Sequence, residues 1–152
     1  MNYREVFGEI LADHHESPRN WGLLKDATLT EQGFNPLCGD KVTLSCRVEG
    51  AGSGQTLGAC AFEGEGCSIC MASASIMTEM VQGRSCAEVL SLIEAFRAKM
   101  QGAADVSALP ADDSGEDISA LYGVKRFPVR IKCALLPWTT LKKALEGSRH
   151  AG

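Results

Sequence analysis

Four residues of this 152-residue chain could share one metal ion: Cys38, Asp40, Cys67 and Cys133. Three thiolates and one carboxylate form a valid tetrahedral zinc set. Wholly structural zinc sites favour cysteine and histidine, so the oxygen ligand points to an exchangeable position. A thiolate is also the form of cysteine that attacks sulfur, so the same residues could carry redox or sulfur-transfer chemistry.

The chain has seven cysteines, and spacing sorts them. An odd count in a chain with no sign of export argues against a disulfide scaffold. Cys46 is in phase with Val42, Leu44 and Val48, and Cys60 with Phe62, so both are expected in the core as small hydrophobes. Cys86 opens a helix just after its cap and has no chemical neighbours in sequence. Cys70 forms Cys67-Ser68-Ile69-Cys70, but a single such pair outside a βαβ unit is weak grounds for a redox motif. It is expected to be a small residue of the first helical turn, with a spare-ligand role left open. Cys38, Cys67 and Cys133 stand at the ends of elements, where sites are built. In Cys38-Gly39-Asp40 an extended backbone would turn thiolate and carboxylate to the same side. By itself the tripeptide is weak evidence and reads more readily as a plain turn. Cys67 follows Glu63-Gly64-Glu65-Gly66 and precedes a helix, whose positive end favours its thiolate.

The elements that must position these groups follow from periodicity. Tyr3, Val6, Phe7, Ile10 and Leu11 predict an opening amphipathic helix, ended by the polar turn of 13–20. A weak strand signal covers 27–30. Strict alternation over 41–49, the glycine-rich turn 50–54 and a returning run over 56–62 predict an antiparallel hairpin. Ile69, Ala72, Ile76 and Met80 mark a helix stopped by Gly83. Ser85 and Glu88 form a capping box for a helix with the apolar face Val89, Leu92, Ile93, Phe96 and Met100. The Gly-, Ala- and Asp-rich stretch 101–116 is expected as a surface excursion, followed by a short helix at Ile118 and Leu121. The run 127–133 is expected to be extended, because a residue before proline avoids the helical region. A terminal helix begins near Pro137-Trp138, carries Leu141, Ala144 and Leu145, and ends at Gly147. The fold class is α+β, in one domain over 1–152.

Composition narrows the function. Hydrophobic residues are 45% and charged residues 22%, as in ordinary globular proteins. A net charge of −4 argues against a general nucleic-acid binder. No apolar run approaches the roughly 20 residues of a membrane span. The segment Met1-Asn2-Tyr3-Arg4-Glu5 lacks the start of a signal peptide, so a cytoplasmic location is expected. His14 and His15 lack the His-Glu-x-x-His order of a zinc protease helix and are expected in a solvated turn or at a partner contact. The acidic run 112–117 is expected as a solvated loop, and Trp21 and Trp138 as packing or interface aromatics.

Three motifs carry a resemblance. Asn35-Pro36-Leu37-Cys38-Gly39-Asp40, Gly64-Glu65-Gly66-Cys67-Ser68-Ile69 and Arg130-Ile131-Lys132-Cys133-Ala134 resemble, in that order, the cysteine motifs of U-type iron–sulfur cluster assembly proteins. The likeness runs over almost the whole chain and is greatest to the SufU-like branch, whose insertion between the second and third motifs corresponds to the region around 101–124. The IscU scaffolds of the family carry histidine where this chain has Lys132, and a chaperone-docking Leu-Pro-Pro-Val-Lys where it has Phe127-Pro128-Val129-Arg130. Cys70 stands where the branch usually has serine.

The resemblance implies a small three-stranded antiparallel sheet packed against several helices. It further implies zinc held by Cys38, Asp40, Cys67 and Cys133, and sulfur accepted on Cys38 from the persulfide of a SufS-type cysteine desulfurase. Arg130 matches an arginine implicated in that partner reaction, and downstream SUF proteins would receive the product. The alternative is a scaffold that assembles a [2Fe–2S] cluster on the same thiolates. A third possibility is a zinc ion that merely staples a small fold.

Overall fold

The computed structural model describes residues 3–102 and 113–151, with side-chain surroundings for 4–102 and 117–147. The opening helix α1 (Tyr3–Glu16) consists of two helical pieces joined at Gly8. Strands β1 (Leu29–Asn35), β2 (Asp40–Glu49) and β3 (Thr56–Glu65) form one antiparallel sheet in the order β1-β2-β3. Helices α2 (Ser68–Val81), α3 (Cys86–Met100), α4 (Asp113–Leu121) and α5 (Pro128–Ala151) follow. The α+β class and three-stranded sheet are therefore as expected. The weak signal at 27–30 marks the start of a longer strand. Along it, half-buried and exposed positions alternate with too few large apolar residues to announce a strand.

Alternation in β2 puts Val42, Leu44 and Cys46 in the core, and Cys46 lies opposite Cys60 of β3. Their sulfurs are 3.7 Å apart, both thiols being buried as the pattern predicts. The cap of α3 forms as read: the Ser85 hydroxyl accepts from the Glu88 backbone N–H at 3.1 Å. Such a cap contributes about 0.5–2 kcal/mol.

Helix α2 is buried almost all round, so it is the central helix, in contact with α1, α4, α5 and β3. Its buried hydroxyls are satisfied. Ser73 donates to the Ala134 carbonyl at 2.6 Å and accepts from the Trp138 indole at 2.9 Å. Trp138 is fully buried and stacks on Phe96 with ring centroids 4.3 Å apart, worth about 0.5–1.5 kcal/mol beyond area burial. Trp21 is half exposed and meets Phe62 edge-on.

The run 128–133 is helical rather than extended. Only Phe127, at φ −123° and ψ 82°, obeys the restriction before proline, and Pro128 then opens α5. Proline suits the first helical position because its missing N–H would have no partner there. Pro137 lies inside α5 and Gly147 does not end it. Tertiary contacts with α2, β1 and α3 carry the helix across both.

His14 is also placed differently from expectation. It is 2% exposed within α1. Its Nδ1 lies 2.7 Å from Ser75 Oγ and its Nε2 lies 3.0 Å from Asp117 Oδ2, while Ser75 Oγ also accepts the Arg19 N–H at 2.8 Å. A neutral imidazole satisfies every atom: Ser75 donates to Nδ1 and Nε2–H donates to Asp117. The group clasps α1, α2 and α4 together, with Glu79 at 3.8 Å from Nε2. Asp117 thus belongs to a helix, not a solvated loop. Of the insertion expected around 101–124, residues 103–112 lie outside the described residues, and the rest forms the end of the α3 region, α4 and a 3-10 turn.

Cys70, fully buried on α2, has its thiol pushed well above its ordinary 9.0, first by burial and then by Asp40, Cys67 and Cys38. The folded chain keeps this proton after the unfolded chain has lost it, so stability declines as pH rises through and beyond that ordinary value. The thermal midpoint of the metal-free protein is expected to fall between about pH 8 and about pH 10, and Cys70→Ala should flatten the fall. Parallel wild-type and variant slopes in thermal scans would contradict the assignment.

Candidate metal centre

The site is built where the turn end of the β1–β2 hairpin meets the start of α2 and the second turn of α5. Asn35 and Asp40 are the last paired residues of the hairpin, and 36–39 form the turn between them. The turn closes with the Cys38 N–H donating to the Asn35 carbonyl at 3.3 Å. Gly39 has φ 68°, a left-handed conformation that a side chain disfavours. Cys38 and Asp40 therefore converge through a turn, not through the alternation of an extended strand. Space is not the reason for Gly39: a Cβ there would meet nothing within 4 Å.

The ligand atoms of Cys38, Asp40 and Cys133 all lie within 4.8 Å of one another. Cys38 is partly exposed, whereas Asp40 is 2% and Cys133 0% exposed. Cys67 caps the N-terminus of α2 and adjoins this trio, its side chain interacting with that of Cys133. The four side chains expected to form the site are thus neighbours, although Cys67 lies just outside the tight group. With Zn–S bonds of about 2.3 Å, sulfurs in a tetrahedral shell are about 3.8 Å apart, so the trio can enclose one ion with small side-chain movements.

Asp40 is the hub. Its Oδ1 accepts the Cys67 N–H at 2.8 Å and its Oδ2 accepts from Asn35 Nδ2 at 3.2 Å. Burial pushes the Cys133 thiol far up, assisted by its hydrogen bonds to Asp40 and Cys38 and by Cys67. Burial and these acidic neighbours thus favour the protonated form of Cys133. A metal ion reverses that preference, since it requires thiolates and displaces their protons. Cys70 stands behind the group but outside the tight trio, and no contact gives it a ligand's place.

Arg130, on the exposed face of α5, brings Nη1 to 3.9 Å from Cys38 Sγ. Its charged form is favoured first by Cys133 and then by Cys67. Beside it a groove of about 720 Å³ is lined by Leu37, Cys38, Arg126, Phe127, Val129 and Arg130. Leu37 and Val129 are 77% and 71% exposed, an apolar rim around the one accessible sulfur of the trio.

Two features escaped the reading of the sequence. Asn35 contributes a side-chain amide to the site, a role signalled by its place opposite Asp40 across a four-residue turn. Gly66 is more than a strand breaker: at φ 142°, a Cβ there would lie 2.4 Å from Asp40 Oδ1 and 2.8 Å from Asp40 Cα. Gly66→Ala is expected to push the carboxylate off its Cys67 N–H and lower metal affinity about tenfold or more, the usual scale for disturbing a ligand's support. Competition with a chromophoric chelator reads this, and wild-type affinity would contradict the close approach.

Residues 6–134 match the NifU-like N terminal domain family, a span that contains all four candidate ligands. The chain is 40% identical over 146 residues to the zinc-dependent sulfurtransferase SufU of Bacillus subtilis, covering 95% of this chain and 92% of that one. It is 35% identical over 148 residues to the iron–sulfur cluster assembly scaffold protein IscU of Thermotoga maritima, covering 96% of each. Among solved structures, a putative iron–sulfur cluster assembly scaffold protein for the SUF system from Fervidobacterium islandicum superposes with a TM-score of 0.78 at 33% identity, covering 95% of this chain and 99% of that one. With the motifs in order and the fold shared, this chain belongs to the NifU-like N terminal domain family.

Proposed function

We propose that this chain is a zinc-dependent sulfurtransferase of iron–sulfur cluster assembly, accepting persulfide sulfur from a SufS-type cysteine desulfurase on Cys38. The observation that carries the reading is the asymmetry of the site. Asp40 and Cys133 are buried and tied to their neighbours, while Cys38 sits on an exposed turn at the mouth of the apolar groove. The similarity to a relative named as a zinc-dependent sulfurtransferase supports the same reading.

Zinc, when bound by Cys38, Asp40, Cys67 and Cys133, would keep the thiols deprotonated at neutral pH and mask Cys38 until a partner engages it. The remaining work falls to the chain. Leu37, Phe127 and Val129 offer an apolar seat for the desulfurase segment that bears the persulfide. Arg130 steers the anionic sulfur toward Cys38. The Cys38 thiolate attacks the outer sulfur of the donor R–S–SH, a new S–S bond forms, the donor S–S bond breaks, and R–S⁻ leaves. The product is Cys38–S–SH, so sulfur moves without net oxidation, as in thiol–disulfide exchange. Downstream SUF proteins then take the sulfur, in the cytoplasm, where thiols remain reduced.

Similarity to the Thermotoga maritima relative favours the scaffold as the second reading, with a [2Fe–2S] cluster on the same thiolates. Elemental analysis of protein purified without oxygen separates the two: one zinc per chain is expected, and stoichiometric iron and sulfide would favour the scaffold. In a desulfurase turnover assay, Cys38→Ala is expected to reduce the stimulation by this protein to background. Full stimulation by that variant would end the shuttle reading.

A further inference from the structure

Asn35 holds two of the candidate ligands at once. Its side chain is 7% exposed, at the end of β1. Nδ2 lies 3.2 Å from Asp40 Oδ2 on β2 and 3.6 Å from Cys133 Sγ on α5. An amide nitrogen carries two hydrogens, so a single Asn35 can donate to both. The Asn35 backbone carbonyl meanwhile accepts the Cys38 N–H that closes the turn.

The consequences for the ligands are unequal. Asp40 has one donor on each oxygen, from Asn35 and from the Cys67 backbone, and a carboxylate retains lone pairs beyond those two bonds for an ion. Cys133 is tied through Asn35 to a strand 98 residues away in sequence. Cys38 is not reached by the Asn35 amide: its sulfur is partly exposed, and it meets the exposed Arg130 at 3.9 Å as well as the Cys133 thiol.

We propose that Asn35 is a positioning residue of the metal centre, which locks Asp40 and Cys133 into one fixed pair and so holds Cys133 as a fixed ligand beside the partly exposed Cys38. The inference rests on the reading that the four side chains hold zinc. An amide suits the task because it is a neutral donor. Aspartate would set a third anionic group against a carboxylate and a thiolate, and alanine would leave a buried carboxylate oxygen without its donor.

The test uses the full chain, zinc-loaded, as wild type, Asn35→Ala and Asn35→Asp. Zinc affinity is measured by chelator competition, and thiol reactivity by limited alkylation with iodoacetamide, with the modified cysteine identified by mass spectrometry. Wild type is expected to hold one zinc and to be alkylated first at Cys38. Both variants should bind zinc about 10–100-fold more weakly. In both, Cys133 should become alkylated alongside Cys38, and the charge-transfer bands of the cobalt(II)-substituted protein should shift. Asn35→Asp keeps the shape of the side chain, so it reads the lost donor even if alanine disturbs the turn. Wild type without zinc would sink the reading of the site. Wild type with zinc, and variants that match it in affinity and in alkylation confined to Cys38, would overturn the role of Asn35.

Discussion

A buried carboxylate is tolerated only where donors replace its water, and the placement of Asp40 sets the terms for the rest of this site. One oxygen takes the backbone N–H that opens α2, and the other takes an amide from the end of β1. These bonds fix the distance between the hairpin and the central helix. The chain leaving β3 must pass so close to Asp40 that Gly66 has no room for a Cβ. The glycine before Cys67 and the carboxylate after Cys38 are therefore two halves of one steric and electrostatic fit, although 25 residues separate Asp40 from Gly66 in between.

The remainder of the fold supplies a rigid frame for that fit. α2 is apolar enough to be buried all round, and its few hydroxyls are spent on α1 and α5. Ser73 joins α2 to the turn of α5 that follows Cys133, and Ser75 joins it to His14 and the chain beyond α1. Helix α5, which bears Cys133, and strand β3, which leads to Cys67, thus both pack on one helix. Cys38 alone rides on a turn that faces solvent, and the apolar rim around it lies on the same side. A rigid half and an exposed half within one ligand set would suit the proposed sulfur transfer, in which a bound ion would remain in place while one sulfur met a donor.

Much of this architecture was legible in the sequence because it depends on near neighbours. The alternation of Val42, Leu44 and Cys46 gave the inner face of β2, and Ser85 with Glu88 marked a helix start. Cys46 and Cys60 were recognisable as core thiols from phase alone. Errors arose where a local rule met a longer-range force. The proline at 128 restrains only the residue before it, and packing on α2 and β1 carries the chain into helix at once. The histidine at 14 lies in a polar stretch, but the helix continues to Glu16 and turns its ring inward.

The identities of the candidate ligands were accessible to sequence because Cys38, Asp40, Cys67 and Cys133 are distinctive residue types in recognisable motifs. The resemblance also implied a distinct role for Cys38, but the side chains that support Asp40 and Cys133 were not legible. The contact of Asn35 with Cys133 spans 98 positions and that of His14 with Asp117 spans 103, and no periodicity encodes such pairs. A sequence states which side chains can donate, accept or bind a metal. Which of them face one another, and which ligands stay partly open to solvent, is decided when distant elements close on a common core and strip the water from the groups between them.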